Sequence, residues 1–385
     1  MLSFLFAIIG IYLMGASLYM LFWAIAAKRK RSFWDGRLRK KNPKNHSIGV
    51  FIPAYKEDAV ILEVAEQALQ QSYQNYQVIV IADSLKEETL TQLSNLPITL
   101  VSVTFKESTK VKALQHAMNT IEEIFDLAVV LDADNVMEQD FLVKMNNAYS
   151  QGFSVVQGRR VAKNKESAYA ILDAMSEAIN YNIYNLGPQK LGFSTRLVGS
   201  AMAIEYTIFK QLINESSAVG GFDKELELRL LEMDYYLYYQ PDAIVWDEKV
   251  REGKVFAKQR RRWLAAQYHY LRLYAKPAFA KLIKNQNVDF FNKICQMALP
   301  PRLLLPCLLL LGAMATFYLG NWTWGIWAIG LLANVLANAI AIPRTMLNLQ
   351  LAKALLKLPE AIFLMIIALL GIRGANKKFY HTPHQ

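Results

Sequence analysis

The chain has 385 residues, 43 Lys and Arg against 32 Asp and Glu, a formal net charge of +11 and an apolar share of 54%. With 19 Phe and 19 Tyr it is too rich in aromatics for a disordered tail, and its length allows at least one unit with a full core. A basic balance in so hydrophobic a chain points first to an anionic membrane surface, then to an anionic ligand and only last to nucleic acid, while Cys295 and Cys307 alone make neither a disulfide scaffold nor a zinc site.

Leu2 to Ala27 carries no charge, enough apolar chain to cross ~30 Å of hydrocarbon as a helix. Lys28, Arg29, Lys30, Arg31, Arg37, Arg39, Lys40, Lys41 and Lys44 follow, opposed only by Asp35. Charge after the apolar run rather than before it argues against a cleaved signal peptide and places the flank in the cytoplasm. Beside a spanning helix, such a run suits anionic lipid headgroups better than nucleic acid.

From about His46 the pattern changes to short apolar runs alternating with amphipathic stretches. Ser47–Ile52, Val78–Ala82, Ile98–Thr104, Leu127–Leu131 and Phe153–Gln157 read as buried strands. Between them, Asp58–Gln71, Lys86–Ser94, Lys110–Ile124 and Gln139–Ser150 read as helices. This alternation predicts a parallel α/β sheet with ligands at the carboxyl ends of the strands. The first of those ends carries Pro53-Ala54-Tyr55-Lys56-Glu57, without the glycine pattern of a dinucleotide fold or a phosphate loop. The second ends in Asp83, and the fourth in Leu131-Asp132-Ala133-Asp134. Two carboxylates one residue apart suit a hard divalent ion that also carries phosphate oxygens, and equally suit a pair of turn-forming aspartates. Gln259-Arg260-Arg261-Arg262-Trp263 favours the first reading: guanidinium groups bind a diphosphate and an indole stacks on a sugar, although a solvated basic face is the usual origin of such a run.

The segment 272–298 mixes Lys276, Lys281, Lys284 and Lys293 with Phe279, Leu282, Ile283, Phe290 and Phe291, a pattern for helices lying in a membrane interface or, alternatively, for an amphipathic core helix. Leu299–Leu319 and Trp324–Ile342 are near-continuous apolar runs, with Trp322, Trp324 and Trp327 suited to an interfacial belt. Ala361–Ile372 is shorter. If it spans, Arg373, Lys377 and Lys378 lie outside, against the charge rule, so it is either a tilted span or a segment that turns back. The expected organisation is a transmembrane helix (1–27), a basic cytoplasmic linker (28–45), a catalytic domain (46–271), interface helices (272–298), a transmembrane region of two or three spans (299–375) and a tail (376–385).

Taken in order, these residues resemble the membrane-integrated family 2 glycosyltransferases, which include cellulose, chitin and hyaluronan synthases. Pro53, Tyr55 and Glu57 look like the family's opening element, Asp83 its base-contacting aspartate, and Lys110 its Lys-x-x-Ala-Leu lysine near the nucleotide. Asp132-Ala133-Asp134 looks like the metal-binding pair, with Asp134 the main ligand and Asp132 helping, and Gln259, Arg262 and Trp263 match Gln-x-x-Arg-Trp. Gly199-Ser200-Ala201-Met202 is similar to the loop beneath the acceptor, with Ala201 in place of a glycine. Where the family has Thr-Glu-Asp, this chain has Gly221-Phe222-Asp223, and the resemblance puts the catalytic base at Asp223, with Glu225 in reserve. Glu232-Met233-Asp234 looks like the motif but lies a helix too late.

The resemblance implies a glycosyltransferase A-type α/β domain between an N-terminal transmembrane helix and C-terminal ones, with its catalytic face in the cytoplasm. It further implies Mg²⁺ or Mn²⁺ as cofactor, a UDP-sugar as donor, and inverting transfer to a growing β-linked polysaccharide. Few spans are available for a private sugar channel, so oligomerisation, a synthase-complex partner or transfer to a lipid acceptor all remain open. A nucleotide-sugar-binding scaffold without catalysis is the competing class, and a full set of metal, base and Gln/Arg/Trp residues argues against it.

Overall fold

The computed structural model describes residues 2–37 and 43–372. Arg39, Lys40 and Lys41 of the basic run and Arg373, Lys377 and Lys378 of the tail lie outside the described residues. Eight strands form one sheet: β1 (Ile48–Tyr55), β2 (Tyr76–Asp83), β3 (Thr99–Val103), β4 (Leu127–Val130), β5 (Val136–Met137), β6 (Val155–Ala162), β7 (Met202–Glu205) and β8 (Leu237–Asp247), in the order β3-β2-β1-β4-β7-β6-β8-β5. Along β1, Phe51 enters the core on one face while Val50 and Ile52 enter the core on the other, as the two-residue period of a strand requires. A sheet covered on both faces explains why its strands read as unbroken apolar runs.

The parallel expectation holds for β3-β2-β1-β4 and fails beyond it. β7 is antiparallel to both β4 and β6, β8 runs parallel to β6, and β5 is antiparallel to β8, so the sheet is mixed. Pro241 interrupts the apolar pattern of β8, and the register with β6 jumps there, from Gln157 opposite Tyr239 to Arg159 opposite Ile244. A proline without an N–H is tolerated at such an irregularity.

Gln259-Arg260-Arg261-Arg262-Trp263 lies on the helix Gly253–Asn285, which continues through the expected boundary at residue 271 with Pro277 inside it. The next helix, Val288–Ala298, buries Phe290, Ile294 and Met297 in the sheet's core together with Lys293, so this part of 272–298 is a core helix. Leu273, Phe279 and Ile283 remain exposed on the long helix.

Among the described residues, two helices are long and apolar enough to cross a membrane, Ser3–Ala27 and Trp324–Ala341. Leu305–Tyr318 and Leu358–Leu370 have 14 and 13 residues, about 20 Å at a rise of ~1.5 Å per residue. The two long helices pack together through small residues. A Cβ on Gly10 would lie 2.8 Å from the Trp327 ring, and one on Gly330 3.0 Å from the Met14 Cα, while Gly312 of the shorter helix Leu305–Tyr318 approaches the same ring. The continuous helical stretch Ala168–Lys190, with a wider turn at Asn182–Leu186, seats the sheet and its helices against them. Asn182 donates to the Ala341 carbonyl at 2.6 Å, and Gly187 approaches the Trp23 carbonyl so closely that a Cβ would sit at 2.4 Å.

Candidate active site

Sheet order brings the chemistry-bearing residues to one edge. Asp132 and Asp134 follow β4, and the chain turns at once into β5, where Val136 pairs with Trp246 of β8. That antiparallel pairing delivers Asp247 to the same place: carboxylate oxygens of Asp132, Asp134 and Asp247 lie within 4.8 Å of one another. Asn135 ties them, donating at 3.2 Å to Asp134 Oδ1 and at 3.0 Å to Asp247 Oδ1, while the Glu248 N–H donates to Asp134 Oδ2 at 3.0 Å. Three hard oxygen donors on a fixed frame suit a divalent cation such as Mg²⁺ or Mn²⁺.

Cations balance the group. Lys110, first residue of a helix capped by Thr109, reaches Asp132 Oδ1 at 2.5 Å and the Gly199 carbonyl at 2.9 Å. Arg160 lies 3.7 Å from Asp132, 3.8 Å from Asp247 and 2.7 Å from Glu177, and Lys249 pairs with both Asp247 and Glu177. Burial opposes charge on Asp247, yet Lys249 and Arg160 outweigh it and bring its carboxyl down to about 2.

The loop from Val198 to Ala201 closes the other side. Gln157 of β6 holds it, donating to the carbonyls of Ser200 at 2.9 Å and Ala201 at 3.1 Å and accepting from the Val198 N–H at 3.0 Å. Ser200 Oγ accepts from the Asp132 N–H at 3.1 Å and bonds Asn135. Gly199 has φ +79°, and Ala201 keeps the left-handed backbone (φ 52°) despite its Cβ. Against Gly199 stands Asp223, so close that a Cβ on Gly199 would lie 3.2 Å from the Asp223 Cβ. Lys224 Nζ lies 3.1 Å from Asp223 Oδ2. Burial pushes the Asp223 carboxyl up, but Lys224 and Arg196 together hold it below the ordinary aspartate value. Arg262 is half-buried within electrostatic reach of Asp132 and Asp223. Burial depresses its pKa against their attraction.

Not every expected residue joins this cluster. Pro53 pairs with Ile81 and Tyr55 with Asp83 at the β1 and β2 ends. There the Lys56 N–H donates to the Asp83 carbonyl at 3.1 Å, Ser84 donates to the Asp83 carboxylate at 2.9 Å, and Glu57 is buried nearby in the chain. Glu225 turns to Ser216, 2.5 Å away. Asp234 lies just beyond the far end of the helix Phe222–Glu232, where Asn287 donates to it at 2.7 Å. Gln259 has a buried carbonyl oxygen with no partner among the described residues, and Trp263 is exposed with Arg260 4.3 Å over its ring, so a sugar stacked on that face must displace the guanidinium. Sequence reasoning missed Asp247, Asn135, Gln157, Arg160, Glu177 and Lys249. Only Asn135, adjacent to the aspartate pair, carried a local signal.

Residues 43–266 match the family described as Glycosyltransferase like family 2. A curated relative, the probable glycosyltransferase YdaM of Bacillus subtilis, is 25% identical over 256 residues, 63% of this chain and 60% of that protein, so the chain spans less than two thirds of the relative's length. A mannosyltransferase of Pyrobaculum calidifontis, solved with GDP-Man and Mn²⁺, shares the fold with a TM-score of 0.50 at 19% identity, covering 87% of this chain and 99% of that one. Glucosyl-3-phosphoglycerate synthase of Mycobacterium tuberculosis, solved with Mn²⁺, UDP and phosphoglyceric acid, aligns at a TM-score of 0.42 and 15% identity over 60% of this chain and 84% of its own.

Proposed function

The chain belongs to the glycosyltransferase-like family 2, and from that premise we propose that it is a metal-dependent inverting enzyme that moves a sugar from a UDP-sugar to a β-linked polysaccharide at the cytoplasmic membrane face. The observation that carries this reading is the convergence of three carboxylates, Lys110 and Asp223 around the Gly199-Ser200 loop. Asp132, Asp134 and Asp247 would hold Mg²⁺ or Mn²⁺, which when bound offsets charge on the leaving diphosphate. The acceptor hydroxyl oxygen forms a bond to the anomeric carbon from the face opposite the diphosphate, which leaves with the electron pair of the broken C–O bond. Asp223 takes the hydroxyl proton. Its low pKa keeps it ionised, and therefore ready, at neutral pH. Arg262 adds fixed positive charge in a half-buried setting. Donor positioning falls to Tyr55, Glu57 and Asp83 at the β1 and β2 ends.

A single transfer to a lipid is the second reading, favoured by the presence of just two described helices long enough to span. The test is incubation of membranes with labelled UDP-sugars, with and without chelator, followed by sizing of the product. A ladder sensitive to β-specific hydrolases supports the polymer, and one lipid-mobile band supports the glycolipid. Incorporation that persists undiminished in excess chelator rejects the metal role.

A further inference from the structure

Around the proposed base, the carboxylates are spoken for. Glu227 pairs with Lys293 at 2.9 Å, Asp223 with Lys224, Asp173 with Arg260, and Glu177 with Arg160 and Lys249. Arg196 is the exception on the cationic side. Its guanidinium makes no hydrogen bond or ion pair among the described residues, its Nε is buried without a partner, and its one ring contact is Tyr184, 5.9 Å from the guanidinium carbon.

The backbone around Arg196 is firmly held. The Thr195 N–H donates to the Leu237 carbonyl at 2.9 Å, the Leu197 N–H to Glu227 Oε1 at 3.2 Å, and Asn185 Nδ2 to the Arg196 carbonyl itself at 2.9 Å. The side chain is thus presented from a rigid loop three residues before Gly199, within electrostatic reach of Asp223. On its other side, Tyr184 packs against the cluster in which Ile179 and Ile183 meet Met20, Trp23 and Ala337 of the two long apolar helices. Arg302, inside the expected apolar run Leu299–Leu319, turns inward to bond Ser176 at 2.7 Å and Asn338 at 2.8 Å, and adds positive potential near Arg196 and Tyr184. An unpaired, partly buried guanidinium between a general base and an apolar helix pair is costly unless an anion completes it.

We propose that Arg196, backed by Arg302, binds a phosphate of the acceptor, and that the acceptor is a phosphate-bearing lipid whose tail lies along the apolar helices. The inference rests on the transferase reading above in its second form, transfer to a lipid rather than to a polysaccharide, and assigns that acceptor's chemical class. The forked guanidinium supplies paired charge-assisted hydrogen bonds that fit phosphate, while the lipid tail follows from the exposed apolar side chains of the two long helices, Phe22 and Ile25 on one and Leu332 and Leu336 on the other.

The test uses the full chain in neutral detergent, titrated with dodecyl phosphate, dodecanol and inorganic phosphate, with UDP plus Mn²⁺ as a separate titration. Dodecyl phosphate is expected to bind well ahead of both controls. Arg196→Gln should weaken it by roughly tenfold or more and Arg196→Lys by less, with UDP binding unchanged. Equal affinity of wild type and Arg196→Gln for dodecyl phosphate overturns the site, as does equal binding of dodecanol. Inorganic phosphate binding as tightly as dodecyl phosphate overturns the lipid assignment, and so does Arg196-dependent binding of an acidic oligosaccharide in preference to it. Failure of the wild type to bind UDP would count against the nucleotide-sugar reading instead, so the two failures are distinguishable. Arg302→Gln removes the hydrogen bonds to Ser176 and Asn338; a variant that keeps its thermal midpoint is expected to bind dodecyl phosphate more weakly, and undiminished binding removes Arg302 from the site.

Discussion

As the proposed base, Asp223 depends on Lys224 for its readiness. Asp223→Asn keeps the shape and removes the basicity, so transfer should fall roughly 10²–10⁴-fold while UDP binding is retained. Glu225→Gln, at a side chain turned to Ser216, should stay within about tenfold of wild type. Loss of activity in Glu225→Gln with a silent Asp223→Asn would transfer the role to the reserve residue. The pH dependence has a definite sign. A depressed carboxyl pKa means that Asp223 stays ionised as pH falls through the ordinary aspartate range, so kcat/KM should show no limb from this group between pH 7 and 5. The groups facing it are Lys224, Arg196, Arg262 and Tyr270. Lys224→Met removes the nearest attraction but leaves the burial, and the acid limb should move upward. At the carboxylate group, Asp247→Asn should raise the Mn²⁺ or Mg²⁺ concentration needed for half-maximal transfer by about 10–100-fold, a magnitude seen when metal-site partners are removed. An unchanged metal requirement would leave Asp132 and Asp134 as the carboxylates that matter.

Elements explain which residues could be read from the chain and which could not. β1, β2 and β4 were legible because each carries a continuous apolar run ending in a polar turn, where Asp83, Asp132 and Asp134 stand, and β3 because its short run is rich in β-branched residues. β7 is four residues long and β5 two, too short for a periodic signal, while Pro241 disguises β8. Asp247 was therefore invisible: the pairing of β5 with β8, not sequence proximity, brings it to Asp134. Arg302 was concealed for the opposite reason, as one cation in a long apolar run. The Gly199 loop permits a sharper test at this scale. Gly199→Ala forces a side chain into the left-handed region, at a cost of about 1–2 kcal/mol, and puts a Cβ 3.2 Å from that of Asp223. A modest fall in thermal midpoint with a much larger fall in transfer is expected. Parallel small losses in both would mean that the loop does not position the base.

At the scale of the whole molecule, the apolar helices belong to the same packed body as the sheet. Met20, Trp23 and Ala24 of the first helix are buried, Tyr19 donates to Asn292 at 2.7 Å, Tyr12 donates to the Ala298 carbonyl at 2.6 Å, and Gly187 lies against the Trp23 carbonyl. A simple anchor would make no such contacts. Removing residues 1–27 uncovers Ile179 and Ile183 and the facing side of the helix Trp324–Ala341. Each fully buried large apolar side chain is worth about 1.5–3 kcal/mol, so losing Met20 and Trp23 together removes a large share of a total that is typically ~5–15 kcal/mol. We therefore expect a chain starting at residue 28 to aggregate or to unfold well below the full chain in the same detergent, and to have lost most transfer activity, since Tyr184 and Phe193, which precede the loop carrying Arg196 and Gly199, rest on the uncovered surface. Thermal unfolding and transfer, measured side by side on both chains, check this. A fragment that is soluble, as stable as the full protein and equally active would show that the first helix is only a tether. A reporter fused after residue 45 of the intact chain completes the measurement: cytoplasmic behaviour is expected from Lys28, Arg29, Lys30 and Arg31, and exported behaviour would place the catalytic face away from cytosolic UDP-sugar.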